Sequence, residues 1–129
     1  MKIHHIGYLV RKIDKSIEEF TALGYVKCGD TVLDEYRQVY ICFMEKDGYR
    51  IELVSPASKE SVVSGLIKKF GNSPYHICYE TEAFDSDLEE LLKRKYMLFD
   101  ERHEAVALGG RDVCFLIHPY DGLIELLDA

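Results

Sequence analysis

A chain of 129 residues can enclose one core or two small fused ones, and 47% hydrophobic with 30% charged residues is the mixture of a folded, water-soluble protein. The formal net charge of −7 argues against a nucleic-acid backbone as partner. No apolar run approaches the roughly 20 residues that a membrane-spanning helix requires.

Met1-Lys2-Ile3-His4-His5 enters a strand-like run at once, so no signal peptide is expected there. The four cysteines, Cys28, Cys42, Cys78 and Cys114, sit in or beside apolar runs and show no CxxC spacing. That pattern predicts reduced thiols in a cytoplasmic protein.

Ile3 to Val10 reads as a strand, with Ile6, Tyr8 and Val10 on one face and His5, Gly7 and Leu9 on the other. Asp14 is a candidate N-cap for a helix carrying Ile17, Phe20 and Leu23 and stopped by Gly24. Strands are predicted over Tyr25 to Val32 and Gln38 to Glu45. Lys46-Asp47-Gly48 is a hairpin turn into Tyr49 to Val54. A polar connector, residues 57–73, holds Val62, Val63, Leu66, Ile67 and Phe70 at helical spacing.

The pattern then restarts. Tyr75 to Thr81 is strand-like, and Phe84 to Lys95 is an amphipathic helix striped by Leu88, Leu91 and Leu92. Tyr96 to Asp100 reads as a short strand and Arg102 to Arg111 as a loop or irregular strand. Asp112 to His118 is a strand, Pro119 to Gly122 a turn, and Leu123 to Leu127 the last strand. The reading is an α+β fold of two tandem βαβββ modules, about 1–56 and 74–129, forming one domain over 1–129.

Both modules place a His on the strand before the helix and a Glu on the last strand. His5 precedes Glu52 by 52 − 5 = 47 positions, and His76 precedes Glu125 by 125 − 76 = 49. Ile51-Glu52-Leu53 and Ile124-Glu125-Leu126 repeat the same phrase. A carboxylate between branched aliphatics is costly to bury unless it is paired or binds a metal. His5, Glu52, His76 and Glu125 are therefore the candidate ligands of one divalent cation, such as nickel, cobalt, zinc or manganese. Four protein ligands on a six-coordinate ion leave two positions for neighbouring substrate oxygens. A metal there would stabilise an enediolate or enolate, with Glu125, and Glu52 as its counterpart, moving the proton.

Other residues have blander readings. His4 falls on the opposite face from His5 and is expected to be structural or exposed. His103 is a candidate for the mouth of a substrate site, and His118, before Pro119, is expected to be structural. Tyr40 is a candidate substrate contact, facing a cupped sheet. Arg50 shares the face of Glu52, as its neutralising partner or a contact to an anionic substrate.

His5-Ile6-Gly7-Tyr8-Leu9-Val10, Ile51-Glu52-Leu53-Val54-Ser55-Pro56, Tyr75-His76-Ile77-Cys78-Tyr79-Glu80 and Gly122-Leu123-Ile124-Glu125-Leu126 resemble the vicinal oxygen chelate superfamily over essentially the whole chain. The resemblance implies a cupped mixed β-sheet around a metal. Within the superfamily the chain is similar to bacterial glyoxalase I and to methylmalonyl-CoA epimerase. Glyoxalase I typically uses His, Glu, His, Glu, as found here. The epimerases commonly have Gln where this chain has Glu52, and a glutamate on the strand where this chain has Tyr40. Ser55-Pro56-Ala57-Ser58-Lys59-Glu60-Ser61 and the connector helix look more like the epimerase linker. The first expectation is a glyoxalase I-like lyase that converts a methylglyoxal–thiol hemithioacetal to an S-lactoyl thioester. The alternative is an acyl-CoA epimerase, and the third reading is a non-catalytic small-molecule binding protein. The resemblance also implies one bound nickel, cobalt or zinc ion, a thiol-conjugated or acyl-CoA substrate, and a homodimer.

Overall fold

The computed structural model describes residues Met1–Ala129. The fold is α+β, with mixed β-sheet and three helices, and the chain divides into two compact units: residues 5–75, and residues 1–4 with 76–129.

In the first unit, β1 (Lys2–Leu9) runs parallel to β5 (Tyr49–Pro56), and β5 pairs antiparallel with β4 (Val39–Lys46). Two short strands, β2 (Val26–Lys27) and β3 (Val32–Asp34), both pair with β4. The single strand predicted over Tyr25 to Val32 is thus broken in two. Gly29 takes φ +126° in the gap, a conformation that interrupts the ladder. The β4–β5 hairpin turns through Asp47 (φ +53°) and Gly48 (φ +83°), both left-handed as the tight hairpin turn demands.

Helix α1 (Ile13–Ala22) covers one face of this sheet. Val10, Ile13, Cys42, Met44, Ile51 and Leu53 are buried there, with Tyr8, Ile17, Phe20 and Tyr25 against them. Fully burying a Leu or Met of this kind contributes about 1.5–3 kcal/mol. The N-cap is Lys12 and Asp14 lies inside the first turn, so the expected Asp14 cap is not formed. Helix α2 (Val62–Phe70) occupies the connector and packs on β5, and the Ser61 side chain accepts from the Val63 N–H.

In the second unit, β6 (Ser73–Thr81) is parallel to β9 (Gly122–Asp128), followed in space by β8 (Arg111–His118) and β7 (Met97–Ala105). Helix α3 (Phe84–Lys93) covers one face through Phe84 and Leu91, which pack with Cys114, Leu116, Ile124 and Leu126. The polar stretch from Arg102 is mostly strand. β7 continues to Ala105, with register shifts between Leu98 and Asp100 and between Asp100 and His103, before a 3-10 turn at Val106–Leu108. Its backbone pairing to β8 holds it extended despite its polarity, and the bulges are the irregularity that the sequence shows.

Candidate metal and proton-transfer centre

In the first unit the candidate site is built on β1, β4 and β5. Gly7 pairs with Glu52 and Phe43 faces Glu52 from the other side, so His5, Phe43 and Glu52 share one sheet face. α1 covers the other. His5 Nε2 lies 3.5 Å from Glu52 Oε1, and both side chains are essentially buried. The Phe43 ring meets His5 edge-on, with centroids 5.1 Å apart and an interplanar angle of 77°.

The second unit repeats this arrangement. Cys78 and Phe115 flank Glu125 across the ladders, and His76, two residues before Cys78, shares their face. His76 Nε2 lies 3.1 Å from Glu125 Oε1, again with both buried. Phe115 meets His76 edge-on at 5.2 Å and 90°. Glu52 and Glu125 are each 3% exposed within strands covered on both faces, and that burial brings the imidazole against the carboxylate. Each of the four residues offers one ligand atom, a ring nitrogen or a carboxylate oxygen. Imidazole with carboxylate is an ordinary donor set for zinc, nickel or cobalt, so the residues present fit a divalent ion.

Tyr40 is placed elsewhere. It lies three residues from Phe43 on β4, pairs with Ser55, and stands on the face opposite Glu52. Strand alternation decides this, and the expectation that Tyr40 faces the metal site is corrected. The residues of β4 that do share the face of Glu52 are Val39, Ile41, Phe43 and Glu45. Arg50 is on the expected face, two residues from Glu52 and directly opposite Glu45. His103 pairs with Val113, two residues from Phe115, and its Nδ1 lies 2.9 Å from the Glu101 carbonyl oxygen and 3.8 Å from Asp100 Oδ2. His118 is structural, stacked on Tyr96 at 4.4 Å and accepting from the Tyr120 N–H at 3.2 Å.

The residues that sequence reasoning passed over are Phe43 and Phe115. Their signal is a matched offset, nine residues before Glu52 and ten before Glu125, but an aromatic on a strand reads first as plain core.

The nearby thiols are held protonated. Burial, then the neighbouring Glu125 charge, pushes Cys114 up to about 12. Burial also raises Cys42.

The family model described as the glyoxalase/bleomycin resistance protein/dioxygenase superfamily matches residues 4–115. The mitochondrial methylmalonyl-CoA epimerase of Bos taurus is 24% identical over 132 aligned positions, which cover 99% of this chain and 74% of that protein. Among solved structures, a hypothetical protein of Bacillus halodurans C-125 is 26% identical, with TM-score 0.86 and coverage of 99% of this chain and 94% of that one. A variant methylmalonyl-CoA epimerase of Streptomyces coelicolor, solved with 2-nitronate-propionyl-CoA, is 24% identical, with TM-score 0.84 and coverage of 100% and 97%. With the family match spanning most of the chain and a matched His–Glu pair in each unit, the protein belongs to the glyoxalase/bleomycin resistance protein/dioxygenase superfamily.

Proposed function

We propose that this protein is a divalent-metal-dependent epimerase of an acyl-CoA of the methylmalonyl-CoA type, with the two His–Glu pairs serving one ion. The observation that carries the reading is the pair of buried imidazole–carboxylate contacts, His5–Glu52 and His76–Glu125, repeated on equivalent strands. A curated epimerase that aligns with 99% of this chain over 74% of its own length supports the acyl-CoA reading over the glyoxalase I expectation.

The four side chains would hold the ion, and a bound divalent ion supplies charge stabilisation for a carbanion delocalised onto a thioester carbonyl. The chain's own residues do the rest. Glu125 takes the proton from C2, and Glu52, its counterpart in the other module, returns one to the opposite face. Microscopic reversibility lets the two carboxylates exchange roles for the reverse reaction. His5 and His76 orient the carboxylates through the 3.5 and 3.1 Å contacts, while the apolar Val39, Ile41 and Phe43 on the face of Glu52 keep water away from the reacting carbon.

One observation favours glyoxalase I: Glu52 stands where the epimerases commonly have Gln. The test covers both readings. Metal-free protein is reloaded with cobalt, nickel, zinc or manganese and given methylmalonyl-CoA in deuterated water, or a methylglyoxal–thiol hemithioacetal. Deuterium entry at C2 is the expected result. S-lactoyl thioester formation without C2 exchange would replace the epimerase by the lyase. Turnover of neither substrate with any metal would leave a binding protein.

A further inference from the structure

β7 departs from regular strand geometry on either side of Asp100. Its register against β8 shifts between Leu98 and Asp100 and again between Asp100 and His103. Residues three apart on a regular strand point to opposite faces. Here Asp100 pairs with Phe115 and His103 with Val113, and both of those β8 residues share the face of Glu125. The irregularity therefore turns Asp100 and His103 together onto the face that carries the His76–Glu125 pair. Bulges of this kind re-aim side chains and are over-represented beside active sites.

The bulge is anchored from the opposite face. Arg102, between the two residues, turns to α3. Its guanidinium lies 2.8 Å from Asp85 Oδ1, 2.7 Å from Asp112 Oδ2 and 4.3 Å from the centre of the Phe84 ring. The His103 ring is oriented as well. Its Nδ1 lies 2.9 Å from the Glu101 carbonyl oxygen, which can only accept, so Nδ1 carries a hydrogen. The protonated ring then presents Nε2–H as its second donor. Asp100 Oδ2, 3.8 Å from Nδ1, is placed to balance the charge of that ring. The His103 side chain is only 10% exposed, and Val113 opposite it belongs to an apolar cluster with Cys78, Ala105 and Leu127. Low polarity around the ring strengthens any hydrogen bond it makes.

The repeat supplies an internal control. In the first unit Phe43 takes the place of Phe115, and Cys28 stands opposite it, its N–H donating to the Phe43 carbonyl. Ile41, the counterpart of Val113, faces Val32. The same sheet face is thus built without an Asp and a His, so the βαβββ architecture does not require Asp100 and His103.

We propose that His103 sets substrate specificity by donating from Nε2 to the free carboxylate of a diacid acyl-CoA, with Asp100 as its positioning residue. Asp100, Phe115 and Glu125 form one row across β7, β8 and β9, and His103 stands one pleat repeat further along. Strand spacings of ~4.8 Å and a rise of ~3.3 Å per residue set the His103 and Glu125 backbones about 12 Å apart. That gap holds the two side chains with a malonyl-type group between them, its carboxylate at His103 and its C2 at Glu125. The inference rests on the acyl-CoA reading above and adds what would make a diacid ester preferred to a simple acyl ester.

Propionyl-CoA lacks only that carboxylate and is the matched probe. Calorimetric titration of the zinc-loaded full chain should show methylmalonyl-CoA bound more tightly than propionyl-CoA. His103→Asn keeps a donor for the Glu101 carbonyl and loses Nε2, whereas His103→Gln keeps a donor near the Nε2 position. The preference should fall about tenfold or more in His103→Asn and return in His103→Gln. An unchanged preference in His103→Asn, an equal loss for propionyl-CoA, or no return in His103→Gln would overturn the proposal. In turnover, His103→Asn should raise KM for methylmalonyl-CoA with kcat little changed, because the carboxylate is held alike in ground and transition states. A fall in kcat alone would count against it. Without any variant, the Nε2 resonance of His103 should shift on addition of methylmalonyl-CoA and not of propionyl-CoA, and the same response to both would overturn the assignment. Wild type that neither binds nor exchanges methylmalonyl-CoA with any metal sinks the epimerase reading and this inference together. Wild type that exchanges it with no effect of His103→Asn sinks the inference alone.

Discussion

Phe115 stands directly across the ladder from Glu125 and meets the ring of His76 edge-on at 5.2 Å, a geometry that Phe43 repeats for Glu52 and His5 at 5.1 Å. The aromatic edge carries partial positive charge and closes one side of the imidazole, so ring rotation is resisted by packing. Hydrogen-bonding partners of metal-ligating groups typically account for 10–100-fold in metal affinity, and a packing brace is expected to weigh at the low end of that range. Phe115→Leu keeps an apolar side chain in place but removes the edge contact. Competition against a chromogenic chelator should show metal affinity falling by about tenfold, with the circular dichroism spectrum preserved.

Metal removal should destabilise the protein, because an ion that binds only the folded state adds to its stability. Chelation is expected to lower Tm, and added metal to restore it. His76→Ala should fold but show no recovery of Tm on metal addition. In Glu125→Gln, C2 proton exchange should fall by about 100-fold or more, the usual weight of a positioned base.

Glu80 provides a pH signature separate from the candidate site. Its hydrogen bond from the Arg111 guanidinium, and then the Arg111 charge, hold its carboxyl below the ordinary range. A carboxylate with a depressed folded-state pKa stabilises the fold above its unfolded value, roughly 4.3. That contribution is lost as pH falls through the depressed value. The pair is partly exposed, so its weight is at most about 1 kcal/mol. Urea midpoints of wild type and Glu80→Gln should differ at pH 7, and the difference should shrink as pH is lowered through the depressed Glu80 value.

Thiol chemistry should report the fold directly. Cys28 is exposed, whereas Cys42, Cys78 and Cys114 are buried. Partial burial and the neighbouring Glu45 raise the Cys28 thiol above its ordinary value, so even this group is a sluggish nucleophile. Iodoacetamide at pH 8 should label one site per native chain, Cys28, slowly. All four should label in denaturant.

The misplacement of Tyr40 shows where linear reasoning loses its grip. Alternation tells which residues of a strand share a face, but not which face turns toward the helix. Alternation puts Tyr40 on the face of Cys42, and only the packing of Cys42 and Met44 on α1 assigns that face. The stretch from Arg102 failed for a related reason. Its polarity resembles a loop, and only pairing with β8 reveals a strand.

Residue identity and spacing alone determined the βαβββ repeat, the His–Glu pairing within each module and the superfamily, because periodicity and offset are properties of the chain. Tertiary structure alone decided that Phe43 and Phe115 brace the imidazoles and that Arg11, Lys12, Lys15, Tyr40 and Ser55 meet in one cleft. Phe43, Phe115, Tyr40 and Ser55 come from different strands and Arg11, Lys12 and Lys15 from around the start of α1, and strand register, set by the burial of whole faces, is a cooperative property that no local pattern encodes.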